Sequence, residues 1–352
     1  MSELKKDNRI WYFDFLRIAA CIAVIVLHVS AKKYESVDVG SYPWFVFNIY
    51  NSLSRWGVPV FVMISGALFL DPEKQLDLKK LYSVNFVRIV TAFLFWSAFY
   101  AAIDYITGTR LRTVVFNFMS GGVHLWFLYM IAGLYLIVPL VRRITESKKH
   151  TVYFLVLALV FTVVFYTSKS LISYVDSRFA GSLEVVSNEL SMKFVCGYTG
   201  YFILGHFLHR YEISKKIRGV IYTLGIFGYA TTVLMTYVFS KKANGLDPVF
   251  LDSFSAGVML EAVAVFVFFK YHTPELKNIK IQKLILQVSK CSFGIYLVHF
   301  IIQRYSREIF HVSPLKYNPI ITVPLISGGV FVVSLIISYI LNKIPIVKKY
   351  IV

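Results

Sequence analysis

The chain has 352 residues, of which 57% are hydrophobic and only 16% charged, with a formal net charge of +18 and a mean hydropathy of +0.64. Ordinary globular domains are about 45–50% apolar and about 25% charged, so this composition excludes a soluble globular protein and indicates a multi-pass membrane protein. The basic excess does not point to nucleic acid, because the Lys and Arg residues lie in short loops between apolar runs, where membrane topology accounts for them.

Apolar runs long enough to span a bilayer occur at 11–31, 45–70, 82–106, 123–141, 151–167, 194–209, 217–239, 249–270, 284–304 and 320–344. Most reach the ~20 residues a spanning helix needs, the fifth being at the short limit. The expectation is an all-α integral membrane fold of about ten transmembrane helices, a single domain over 1–352 with no appended soluble domain. The N-terminal MSELKKDNR is basic, but the run after it lacks a small-residue cleavage site and reads as a retained span rather than a signal peptide. With the N-terminus inside, cytoplasmic segments carry about 21 Lys and Arg against about 12 outside, which places both termini in the cytoplasm. The longest outer loop, 168–193, is Ser-rich with mixed charge and is placed to cover or receive a substrate. Cys21, Cys196 and Cys291 have unrelated spacings that make no zinc pattern or disulfide framework, so no metal is expected.

The first run carries Asp14, Arg17, Cys21 and His28. Steps of seven put residues 14, 21 and 28 on one stripe of a helix, with Arg17 close to the direction of His28 and roughly 16 Å from it along the axis. An Arg or Asp at the centre of a span costs about 2.5–3.5 kcal/mol and is kept where it pairs or lines a cavity. The bland alternative is that Asp14 and Arg17 neutralise each other at i, i+3, which leaves His28 unexplained. Arg88 starts the third run on the inner side, with a snorkelling anchor as its alternative reading. His124 and Trp126 open the fourth run at the outer side, where Trp is also a standard interfacial anchor. Ser292, Tyr296 and His299 climb one face of the ninth, a functional face or a polar seam between helices. Arg55 and Glu261 are further intramembrane charges, expected to face the interior as tuning or structural groups. Ser65-Gly66 reads as close helix packing rather than a nucleophile. The chain thus has an inner basic end and an outer histidine end. That polarity suits an anionic donor entering from the cytoplasm, with a desolvated histidine as general base. Asp14 is too far along the helix to touch His28, so another helix must supply its orienting partner.

These residues resemble the acyltransferase-3 family of membrane acyltransferases. The resemblance rests on Arg17 and His28 within FDFLRIAACIAVIVLH, RWGVPVFVMISG at 55–66, HLWFLYMIAGLYLIVPLVRR at 124–143, GYTGYFILGHFL at 197–208 and SFGIYLVH at 292–299. It implies a ten-helix enzyme that takes an acyl group, usually acetyl, from cytoplasmic acyl-CoA and transfers it to a hydroxyl of a cell-surface or lipid-linked carbohydrate. The family's base falls on His28 and its first-helix arginine on Arg17. A basic pair three residues apart at the start of the third helix is represented by Arg88 alone, because the first position is Asn85; Lys79 or Lys80 stands near enough to substitute. The site expected from the resemblance and the residues together is His28 as catalytic base, Arg17, Arg88 and Lys80 for the acetyl-CoA donor, and His124, Trp126, Tyr296 and His299 for the acceptor. Asp14, Arg55 and Glu261 are the tuning groups. Expected partners are acyl-CoA, a carbohydrate or lipid-linked glycan, the bilayer of the plasma membrane, and either a second copy of the chain or proteins of polysaccharide synthesis. A polysaccharide exporter or proton-coupled transporter is the competing class, and an inert scaffold a third. Against the transporter, no Gly/Pro-broken helices occupy matching positions in two halves.

Overall fold

The structure, a computed structural model, describes residues 9–122 and 124–352, apart from the side chains of residues 193 and 194. The first third comprises α1 (Trp11–Tyr34), α2 (Tyr42–Ser54), α3 (Gly57–Phe69), the single turn α4 (Leu78–Lys80), a π-helical turn (Leu81–Phe86), α5 (Val87–Ile106) and α6 (Leu111–Ser120). The middle comprises α7 (Trp126–Thr145), α8 (Lys148–Ala158), a second π-helical turn (Leu159–Val164), α9 (Phe165–Ser173), α10 (Ser177–Leu190) and α11 (Met192–Arg210). The remainder is α12 (Lys215–Ala243), a 3-10 turn (Val249–Leu251), α13 (Ala256–His272), α14 (Ile279–Phe310), α15 (Pro319–Leu341) and α16 (Pro345–Tyr350). The described residues contain no strand, and nine helical spans among them are long and apolar enough to cross a membrane. The chain is an all-α multi-pass membrane protein.

The sixth expected span, 194–209, is present as α11 but falls outside those nine. Its sequence includes Lys193, His206, His209 and Arg210, and it bends where Gly197 takes a non-helical ψ of −111°. Its polarity has a packing reason. α11 lies against α3 so closely that a Cβ on Gly205 would come 2.0 Å from the Met63 carbonyl oxygen, and one on Gly66 1.7 Å from that of Phe202. A helix enclosed by other helices needs small residues for close approach rather than a lipid-soluble surface.

The expected second span, 45–70, is interrupted: α2 stops at Ser54 and α3 begins at Gly57. Pro59 explains the position, since it has no N–H to offer the carbonyl four residues earlier, at Arg55. The outer segment 168–193, expected as a loop, is mostly helical. Asp176 starts α10 by accepting from the backbone N–H groups of Arg178 and Phe179, the N-cap geometry that satisfies free donors of a first turn. α6 was not expected at all; Leu111, Val115, Phe116 and Met119 are exposed on it, as on a helix lying in the membrane interface.

Two ends of the bundle are defined by contacts between distant segments. At the first, which bears Arg17, Thr145 donates to the Leu70 carbonyl at 2.8 Å, Tyr12 meets His209 at 2.7 Å and Lys270 donates to the Tyr211 carbonyl at 2.9 Å. Arg9 and residues 348–352 are also there, because Thr91 in α5 donates to the Tyr350 carbonyl at 2.6 Å. At the other end, which bears His28, Tyr42 donates to Asn318 at 2.9 Å and Arg304 pairs with Asp104 at 2.6 Å.

Candidate active site

The stripe of α1 expected from the seven-residue spacing faces α14 along its whole length. Asp14 accepts from Ser289 Oγ at 2.6 Å, Cys21 Sγ donates to the Ser292 carbonyl at 3.4 Å, and the His28 carbonyl accepts from Gln303 Nε2 at 2.8 Å. The two helices therefore run parallel and in fixed register, and Arg17, at the edge of that stripe, lines a neighbouring space.

That space is a cavity of about 320 Å³ between α1, α3, the first π-helical turn, α5, α7 and α14. Its polar lining includes Arg17, Arg88, Asn85, Ser65, Tyr135 and Ser292; its apolar lining includes Val24, Val58, Ile131 and Phe127, and Tyr296 stands at its far wall. Asp14 is shared unequally between two cations, with Arg17 as the more distant. Its carboxylate is held in a fork by Arg9, with Nε to Oδ2 at 2.8 Å and Nη2 to Oδ1 at 2.7 Å, while Arg17 Nη1 remains at 3.8 Å. Arg88 has no carboxylate within ion-pair distance among the described residues. Its guanidinium lies 5.1 Å above the Phe293 ring, and its Nε is buried without a hydrogen-bond partner. A guanidinium left so in a low-dielectric wall favours an anionic visitor, and its planar donor fork matches phosphate oxygens.

Asn85 also lines this cavity, three residues before Arg88, so the position where the resemblance leads one to expect a second cation is occupied by a neutral amide in the same wall. Asn85 sits in the π-helical turn at Leu81–Phe86; such turns recur at functional sites. Lys80 is exposed on the turn before it, outside the cavity lining and at the same end.

Beyond the cavity, a second group of polar residues gathers around His299. Its ring centroid is 5.2 Å from that of His28 and 5.4 Å from that of His124. Phe127 and Tyr296, 5.4 Å apart, both line the cavity; Tyr296 also meets the rings of His124 and His299, and its hydroxyl donates to the backbone carbonyl of His124. His124 stacks on Phe300 at 4.9 Å and meets the edge of Tyr100 at 5.1 Å. His124 and His299 are buried, each with an Nε2 that has no partner. His124 enters by way of Gly121 and Gly122, whose φ values of 75° and 56° turn the chain from α6 into α7; left-handed geometry of this kind suits glycine.

The remaining expected residues lie apart. Trp126 is 38% exposed and faces Tyr198 across 6.0 Å. Arg55 donates through Nε to Asn51 Oδ1 at 2.8 Å, with Nη2 on the same oxygen, while Asn51 in turn donates to Ser30. Glu261 is buried between α12 and α13 beside Thr232, with Oε1 unpartnered; it and Arg55 form no ion pair. Sequence reasoning missed Arg9, whose place just before the first span gave no sign of reaching forward to Asp14. It also missed Tyr135, Phe127, Tyr100 and Gln303. Gln303 was reachable, since it follows His299 by one helical turn on the same face.

Residues 10–342 match the acyltransferase domain family Acyl_transf_3. Searches of curated proteins and of solved structures found no match. With that match covering nearly the entire bundle and both polar groups within it, the chain belongs to the acyltransferase-3 family and is a membrane acyltransferase.

Proposed function

We propose that the protein moves an acetyl group from cytoplasmic acetyl-CoA to a hydroxyl of a cell-surface or lipid-linked carbohydrate at the plasma membrane. The observation that supports this most is one cavity lined by two arginines, Arg17 and Arg88, that ends at Tyr296, beside the group containing His28 and His299. In this reading the Arg17 end is cytoplasmic. The CoA phosphates rest on Arg17 and Arg88, with Lys80 outside as a steering charge. The pantetheine arm lies along Val24, Val58 and Ile131, and the thioester comes to Phe127 and Tyr296.

His28 then takes the proton of an acceptor hydroxyl as its oxygen attacks the thioester carbonyl carbon. The C–S bond breaks, the thiolate leaves, and the proton returns to it from the imidazolium. The alternative route, in which His28 itself carries the acetyl group before the acceptor attacks, uses the same groups. His124 and Tyr296 receive the acceptor, with the His299 ring beside them and Trp126 outside their group, against Tyr198; Asp14, Arg55 and Glu261 hold the helices that carry these side chains.

The test is mass spectrometry of surface glycans, with and without alkali, from cells lacking the gene and complemented with the wild type or with His28→Ala at equal expression. The expected result is an alkali-labile acetyl ester restored by the wild type alone on a polymer present in all strains. Loss of the polymer itself, with ester content unchanged in what remains, would refute the reading in favour of export.

A further inference from the structure

A histidine acting as general base at one ring nitrogen is only as good as the group that fixes the other nitrogen. No side chain on α1 does this for His28, and no hydrogen bond to its ring is made by the described residues. Around it, Phe300 offers an aromatic face 6.1 Å away and no acceptor. Arg55, which is within electrostatic reach, is a donor and already bound to Asn51.

His299 has the complementary property. It is 0% exposed, and its Nδ1 is 2.5 Å from the Tyr296 carbonyl. A carbonyl oxygen only accepts, so Nδ1 carries the proton of the neutral ring and Nε2 is a bare lone pair. That Nε2 is buried and unpartnered, the costly condition that a buried polar atom normally avoids. The two rings lie 5.2 Å apart between centroids and are tilted by 36°, without a hydrogen bond between them in this arrangement; a rotation that sets them edge to edge at that separation brings facing nitrogens to about 3 Å, which is hydrogen-bond range. His124 is less suited: its ring contacts reach His299 and Phe300 rather than His28.

We infer that His299 is the positioning partner of His28: its Nε2 accepts the N–H of one His28 ring nitrogen and thereby leaves the other as the lone pair presented to the acceptor hydroxyl. The register of α1 on α14 is what holds the pair together, through Gln303 and the His28 carbonyl one turn beyond. His299 exchanges no proton with the substrate. It selects one tautomer before the reaction and accepts a stronger hydrogen bond when His28 becomes imidazolium. This rests on His28 being the base of the proposed transfer, and the experiment separates the two claims.

The full-length chain, labelled with ¹⁵N-histidine in lipid bilayers, would be studied by solid-state NMR, with the His28 signals identified by their loss in His28→Gln. At neutral pH, wild-type His28 is expected to show one protonated and one bare nitrogen. In His299→Phe the two should average, and acetyl transfer should fall at least about tenfold, as is common when a supporting partner is lost. Acetyl-CoA affinity, set by Arg17 and Arg88, should stay unchanged and so report an intact fold. His299→Gln, which keeps an acceptor oxygen, should restore the single tautomer and part of the rate. An averaged His28 in the wild type, or an unaltered tautomer in His299→Phe, would overturn the inference. The spectrum needs no acceptor, so a wild-type chain that transfers no acetyl would sink the acetyltransferase reading alone.

Discussion

Arg9 is expected to control the donor site without touching it. It holds Asp14 in a two-point fork at 2.7 and 2.8 Å, and Arg17 is kept 3.8 Å from the same carboxylate. In Arg9→Gln the buried carboxylate loses its closer counter-ion, and the one left to close on it is Arg17, three residues along the same helix. Closing that gap from 3.8 Å to about 2.8 Å at an effective dielectric of about 20 gains about 1.6 kcal/mol. A donor phosphate must undo the closure before it can use Arg17, so acetyl-CoA should bind about 15-fold more weakly. Titration calorimetry of the purified full-length chain with acetyl-CoA measures this directly. The decisive comparison is the double variant Arg9→Gln/Asp14→Asn. It lacks the same cation but leaves no carboxylate to capture Arg17, so most of the affinity should return. If the double variant binds as weakly as Arg9→Gln, Arg9 acts as a donor contact or as a plain fold contact, and the argument fails.

Other consequences follow from the same geometry. Arg88→Gln removes a cation with no competing partner in the cavity and should weaken acetyl-CoA about 10- to 100-fold, the range of a lost charge-assisted hydrogen bond; calorimetry with affinity within twofold of wild type would exclude it from the donor site. Asn85→Lys adds a charge to the same wall, so CoA should bind several-fold more tightly at low salt, with a steeper salt dependence; a flat response would show that position 85 does not reach the phosphates. His28→Ala should insert and bind acetyl-CoA normally while transfer falls at least about 100-fold, as read from alkali-labile ester on surface glycans. Gly205→Ala places a methyl 2.0 Å from the Met63 carbonyl oxygen and should destabilise the bundle by about 1–3 kcal/mol or more. Gly133→Ala, which meets nothing within 4 Å, should leave the melting profile in detergent unchanged or slightly raised; equal losses in both would refute the backbone-contact account.

Composition and hydropathy alone determined that this is a helical membrane protein, because a bilayer admits only segments that satisfy their own backbone and present apolar side chains. They also singled out Arg17, Arg88, His28 and His299, since ionisable groups inside spans are expensive enough to stand out against an apolar background. The helical period showed that residues 14, 21 and 28 share a stripe, and the contacts of Asp14, Cys21 and His28 with α14 follow it. The period could not show which helix that stripe would meet, because every amphipathic face in the chain is a candidate partner for every other. Only the tertiary structure decided that Asp14 takes Arg9 as its close partner and holds Arg17, in the cavity wall, at the longer distance. It also decided that the break before Pro59 divides the second span. A helix as polar as α11 takes its place in the bundle because α3 encloses it rather than lipid. The meeting of His28 with His299 is likewise long-range, arising from two parallel helices far apart in the chain. Local sequence determines what each side chain can donate or accept, and the packing of helices determines which partner it meets.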